Sequence, residues 1–475
     1  MPRSVLLMTL ALLAGCARQT PADAELTAGA LLPSATPPSR YAAATDVDPG
    51  TVADGWLATF NDHLLDRLVT EAMAHNRDLA AASARVDQAA AAARQAGADL
   101  SPQVGYAVKG STGEAAGTSG RQNQVGAGLT LSWELDVWGR LSSAQRAGQE
   151  QFASKAADFA FARQSLAAQV AKAYFLAIQA VNQEAIATEF ATLQAKTSEL
   201  VALRASVGRA SAYEAALARS AAATAQDQQR QAQSGRERAA RSLELLVGRY
   251  PAAELQVGSN LPAVPLPPPA GLPTQLLERR PDLIAATRRV AAAFNQVESA
   301  KAARLPRLSI TAEAGTVAQN FRNLSLNDAF WNLAGNLMGP IFDGGRLKGQ
   351  VNIEKAKQRE ALALYGAAAL TAFRQVEEAL AEDRRLAERT DLVGAADRAQ
   401  SEALHLAQLR FDAGTIDQVA LVTVQGNALN ARLADLAVRV THLTNRIDLH
   451  LALGGGYELP PATAEDALPA SRVVQ

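Results

Sequence analysis

The chain repeats itself in register, and that restricts what it can build more than any other feature. Arg77-Asp78-Leu79 lines up with Pro281-Asp282-Leu283, Val86 with Val290, and Ser101-Pro102 with Leu305-Pro306, all 204 residues apart. At 206 residues, Gly139-Arg140-Leu141 matches Gly345-Arg346-Leu347, Val170 matches Val376, Arg204 matches Arg410, and Gly208 matches Gly414. Leu243-Glu244-Leu245 matches Leu449-His450-Leu451 at that same spacing. One insertion of two residues explains the drift, so the chain is a tandem duplication. Whatever one half forms, the other must form again. The spacing predicts repeat 1 over 62–248 and repeat 2 over 274–454. Between them, 249–273 carries Pro262, Pro265, Pro267, Pro268 and Pro269 and reads as an extended linker; 455–475 is a tail.

Within each half the periodicity switches twice. Asp62 to about Ala98 has apolar residues at helical spacing, and Pro102 ends it. A hairpin follows over 102–135, with Val104, Tyr106 and Val108 alternating with polar or small residues, then Val125, Ala127, Leu129, Leu131, Trp133 and Leu135. The second hairpin, over 306–342, has Leu308, Ile310, Ala312 and Ala314, then Trp331, Leu333, Leu337 and Ile341 facing away from Asn332 and Asn336. Each hairpin leads into a helical stretch, Gly139 to about Ser206 and Gly345 to about Ala413, that would extend about 100 Å at 1.5 Å per residue. Leu429, Leu433, Leu436, Val440, Leu443 and Ile447 follow alternating four- and three-residue steps, the seam of a coiled coil. Strands of about 10–12 residues are long enough to cross a bilayer at a tilt, and Tyr106, Trp133, Trp138, Phe330, Trp331 and Phe342 lie near their ends, where aromatic girdles belong. In lipid, open sheet edges leave backbone groups unpaired. Single-chain barrels begin at about eight strands, so four strands per chain require more than one chain.

The first 15 residues have the pattern of a secretory leader, with Arg3 followed by an apolar run from Val5 to Ala14. Leu13-Ala14-Gly15-Cys16 resembles the bacterial lipobox and contains the sole cysteine, which predicts a lipid-carrying Cys16 at the start of the mature chain. Ala17 in place of an aspartate implies passage onward to the outer membrane, with 16–61 an N-terminal periplasmic extension. A single cysteine leaves no intramolecular disulfide or Cys-rich zinc site, and the five histidines show no metal-binding spacing. A net charge of −1 gives no electrostatic footprint for nucleic acid. No nucleophile elbow, phosphate loop or zinc motif points to an enzyme, and no cofactor is implied.

Several blocks carry a family resemblance: Trp56-Leu57-Ala58-Thr59-Phe60, Asn76-Arg77-Asp78-Leu79, the run from Ser132 to Leu141, Leu277-Glu278-Arg279-Arg280-Pro281-Asp282-Leu283, the run from Pro340 to Leu347, and Arg410 with Gly414. Together they resemble the outer-membrane efflux factor family, in its lipoprotein branch that serves resistance–nodulation–division pumps. The resemblance implies an α+β membrane protein in which a homotrimer, four strands per protomer, closes a twelve-stranded β-barrel continuous with a long periplasmic α-helical barrel. It implies a passive outer-membrane exit channel for drugs or other small molecules, partnered by a periplasmic adaptor and an inner-membrane pump, in contact with outer-membrane lipid. Arg204 and Arg410 would favour the negative ends of their helices, Gly208 and Gly414 would permit reversal into the next helix, and the resemblance makes these hairpin tips the adaptor-docking end. It also implies a periplasmic aperture at Val419 and Thr423, with Phe411 where a tyrosine is usual. Thr423 replaces an acid and Gly426 an arginine, which leaves Glu214 and Asp417 as alternative sources of an acidic ring. An exit duct for type I protein secretion and a lipid-anchored structural coiled-coil envelope protein are the competing readings.

Overall fold

The computed structural model describes residues 38–44, 50–113, 122–318 and 329–458. Cys16, the leader and most of the C-terminal tail lie outside the described residues. The elements run α1 (His63–His75), α2 (Arg77–Ala98), β1 (Gln103–Gly113), β2 (Gln122–Leu135), α3 (Arg140–Ser206), α4 (Ala212–Leu246), α5 (Pro273–Arg279), α6 (Pro281–Ala302), β3 (Arg307–Ala318), β4 (Ala329–Met338), α7 (Arg346–Asp412) and α8 (Gln418–Ala452). The duplication is written in their lengths: α2 and α6 have 22 residues each, α3 and α7 have 67, and α4 and α8 have 35. The register separation is 204 from α2/α6 up to the first residues of β1 and β3, and 206 from α3/α7 onward. The two extra residues therefore fall inside the second hairpin.

Two compact units divide the described chain. The first, Ala84–Ala157 with Asp282–Ala368, contains all four strands. They form one antiparallel sheet in the order β1-β2-β3-β4, so the second strand of one repeat pairs with the first strand of the other, Leu135 opposite Leu308 and Gly128 opposite Gly315. Alternation sorts the sheet into two faces. One carries Val104, Tyr106, Val108, Leu129, Trp331, Leu333 and Leu337, all 59–85% exposed. The other carries Lys109, Thr130, Ser132, Ser309, Thr311, Glu313, Asn332 and Asn336. β4 ends at Met338, so Ile341 is not on the strand as its spacing predicts; Pro340, which has no N–H to give a ladder, follows Gly339. The indole N–H of Trp133 donates to Leu100 O (2.9 Å), and that of Trp138 to Pro306 O (2.6 Å). Asp136 accepts from the N–H groups of Leu141 and Ser142, and Asp343 from those of Gly345 and Leu347, so a carboxylate starts each long helix.

The second unit comprises Asp158–Pro281 with the described residues before Ala84 and after Ala368. Its core joins a 3-10 turn (Trp56–Phe60) to Leu65, Leu68 and Val69 of α1, Phe175 and Ile178 of α3, Leu243 of α4 and Leu443 and Ile447 of α8. The rings of Trp56 and Phe60 meet edge-on at 6.2 Å, and Phe60 meets Phe175 at 5.2 Å. Asn76 ends α1, and its amide donates to Leu246 O (2.9 Å) at the end of α4. Arg280, at the equivalent position of repeat 2, donates to Ala452 O (3.2 Å) at the end of α8. The same brace is thus built from two different side chains. Polar groups also enter the core. Asp383 of α7 receives Arg446 of α8 at 2.9 and 3.0 Å, with His442 at 3.5 Å, and His450 stacks on Trp56 at 6.0 Å. Among the described residues no helix is long and apolar enough to cross a membrane.

Candidate functional site: the two helix-hairpin tips

Each tip is a helix end, a glycine and a helix start. At the end of α3, Arg209 N–H donates to Arg204 O (2.7 Å) and Gly208 N–H to Ala205 O (3.1 Å). At the end of α7, Thr415 N–H donates to Arg410 O (2.9 Å) and Gly414 N–H to Phe411 O (3.0 Å). Both are Schellman closures, and they need the left-handed backbone that Gly208 (φ 75°) and Gly414 (φ 73°) supply. The return helices begin differently. Ser211 and Glu214 form a capping box on α4, whereas Asp417 alone accepts from Ala420 N–H (2.8 Å) on α8.

These caps decide what the two acids do. The Ser211 N–H and hydroxyl hold the Glu214 carboxyl below the usual carboxylate range, against the opposing charge of Asp417. Both acids cap helix starts, Glu214 through one carboxylate oxygen on Ser211 and Asp417 through one on Ala420 N–H. Phe411 is buried in a small core with Val201, Ala218, Ala407 and Leu421. The Arg204 guanidinium lies 4.6 Å over its ring and also donates to Phe411 O (3.4 Å). Arg204 therefore bridges α3 to α7, while its counterpart Arg410 is exposed. Val419 and Thr423 occupy an exposed stripe of α8, the Thr423 hydroxyl donating back to Val419 O (2.8 Å). Gly426 continues that stripe, with nothing within 4 Å of where a Cβ would stand. Of the three residues expected at an aperture, Val419 and Thr423 present surface and Phe411 does not. On the opposite side of α8, Gln425 is fully buried and accepts from the side chain of Gln194 on α3 (3.0 Å), a contact no sequence spacing indicates.

The outer membrane efflux protein family matches the chain twice, over residues 68–249 and 272–455. The chain belongs to that family. The double match falls on the two repeats. Pyoverdine export outer membrane protein OpmQ of Pseudomonas aeruginosa is 32% identical, over 96% of this chain and 97% of that protein. Probable efflux pump outer membrane protein TtgC of Pseudomonas putida is 30% identical over 88% of each. Among solved structures, the CmeC outer membrane channel of Campylobacter jejuni superposes with a TM-score of 0.82 at 25% identity, covering 88% of this chain and 91% of that one. This efflux protein is accordingly an outer-membrane exit channel with an α+β fold.

Proposed function

We propose that three copies of the chain close twelve strands into one barrel and that their long helices form the periplasmic part of a single duct. One observation supports this above the others: a four-stranded sheet, apolar on one face and polar on the other, whose edges β1 and β4 have no strand beside them among the described residues. Such a sheet in lipid must pair its edges, and three copies give a count within the known barrel range. The duct conducts passively, receiving drugs or other small molecules from a periplasmic adaptor and an inner-membrane pump of the resistance–nodulation–division class. The adaptor docks at the Arg204–Gly208 and Arg410–Gly414 tips. The narrowest passage is lined by Val419 and Thr423, with Phe411 setting the packing behind them, and a lipid on Cys16 adds an anchor to the barrel.

The test is the mass of the detergent-extracted protein together with its conductance in a planar bilayer. A trimer that conducts is the expected result. A monodisperse monomer that keeps its strand signal, or a trimer that never conducts, would overturn the proposal.

A further inference from the structure

Four charged residues lie on the described strands: Lys109, Glu134, Arg307 and Glu313. Glu134 and Arg307 stand at or next to strand ends, and Glu134 is held by Arg140 through two hydrogen bonds (2.8 and 2.9 Å). That leaves Lys109 and Glu313 as the charges in mid-strand. Both are on the polar face, and they pair at 3.0 Å although β2 runs between their strands.

Two strand spacings are about 9.6 Å, so the lysine and glutamate must both reach across β2. They can because β2 is bare there: Gly126 stands opposite Lys109, and Gly128 lies between that point and Thr130, the residue opposite Glu313. A Cβ on Gly128 would stand 2.6 Å from Ala314 O and could not be accommodated without moving the backbone. On the other side of Glu313, Asn332 of β4 stands directly opposite. The path toward β1 is open, and the path toward β4 is filled. Lys109 and Glu313 are also 204 residues apart, which makes them the same position of the two repeats carrying opposite charge.

We propose that Lys109 and Glu313 determine the charge selectivity of the barrel interior: three such pairs, alternating in sign around the wall, hold the fixed charge at this depth to zero and let anionic and cationic solutes pass alike. This rests on the three-chain barrel proposed above. The pair is partly exposed on the polar face, with Lys109 70% and Glu313 33% accessible, the face that the proposed barrel would turn to its aqueous interior.

The experiment is the reversal potential of the reconstituted protein in a KCl gradient at about 10 mM salt, where the screening length is about 30 Å and fixed charge is felt across the lumen. Lys109→Gln leaves three unpaired carboxylates and should raise the cation-to-anion permeability ratio about two-fold. Glu313→Gln should lower it by a similar factor, while the double Gln variant and the swapped pair, Lys109→Glu with Glu313→Lys, should return to the unmodified value. A merely structural pair would not give opposite shifts that cancel. If all variants conduct with one reversal potential, the inference is overturned and the duct stands. If the unmodified protein does not conduct, the barrel reading itself falls and takes the inference with it. Should one single variant fail to assemble, a shift in the other single together with its restoration in the swapped pair still supports the inference, and no shift or no restoration overturns it.

Discussion

Thr423 is a position where one functional group decides the chemistry of a stripe. Its hydroxyl is already donated to Val419 O, and residues 419–429 of α8, three turns around it, include no carboxylate. Carboxylates hold divalent cations through charge, and a lone hydroxyl does not. The reconstituted channel should therefore be only weakly blocked by di- or trivalent cations added from the periplasmic side, and Thr423→Asp should create that block. Strong block before substitution, or none after it, would put another residue at the constriction. His450 has a different consequence. Burial, reinforced by the Arg446 charge and partly opposed by Asp383, pushes its imidazole from the usual 6.5 down to about 4. The unfolded chain binds that proton near pH 6.5 and the folded chain only near 4. Its contribution to stability is complete above 6.5 and is lost as the pH falls toward 4, by up to about 1.4 kcal/mol per pH unit. The thermal midpoint of the detergent-solubilised protein should fall across that window, and His450→Leu should flatten the fall relative to the unmodified chain; parallel slopes would refute it.

Among the elements, the long helices and the hairpins were legible because each keeps one period over many residues. Their ends were legible too, since Gly208 and Gly414 can close a helix where other residues strain. Gly208→Ala and Gly414→Ala should each loosen a tip by about 1 kcal/mol, a cost of backbone alone because nothing lies within 4 Å of the added methyl. Limited proteolysis at the tips is the readout. Gly235→Ala, in the open middle of α4, is the control that should leave cleavage unchanged or slower. What sequence did not reveal depends on contacts between elements far apart in the chain. Glu214 and Asp417 could be assigned as caps only once the first N–H groups of α4 and α8 were located. Phe411 packs beneath Arg204, 207 residues away. Asp383 reads as one acid in a polar helix until Arg446 is found against it. Lys109 and Glu313 read as two solvated residues until the order β1-β2-β3 is known, although their register was visible in the repeat.

For the whole molecule, the lipid proposed on Cys16 would make attachment separable from folding. If Cys16 carries lipid, Cys16→Ser should abolish labelling by radioactive palmitate and leave an unprocessed form, while the strands still seat the protein and efflux is reduced, not abolished. Normal labelling of the serine variant would remove the lipid from the account. The pairing of Lys109 with Glu313 reaches further, to why two repeats share one chain at all. In the three-chain barrel proposed above, six identical single-repeat subunits would place six like charges around the ring wherever this one position is charged, and those charges would repel. In that barrel, fusing two copies in one chain would lower the symmetry from sixfold to threefold and free one half to differ from its twin. Opposite charges at one position of the repeat, Lys109 and Glu313, are then possible with a single kind of chain.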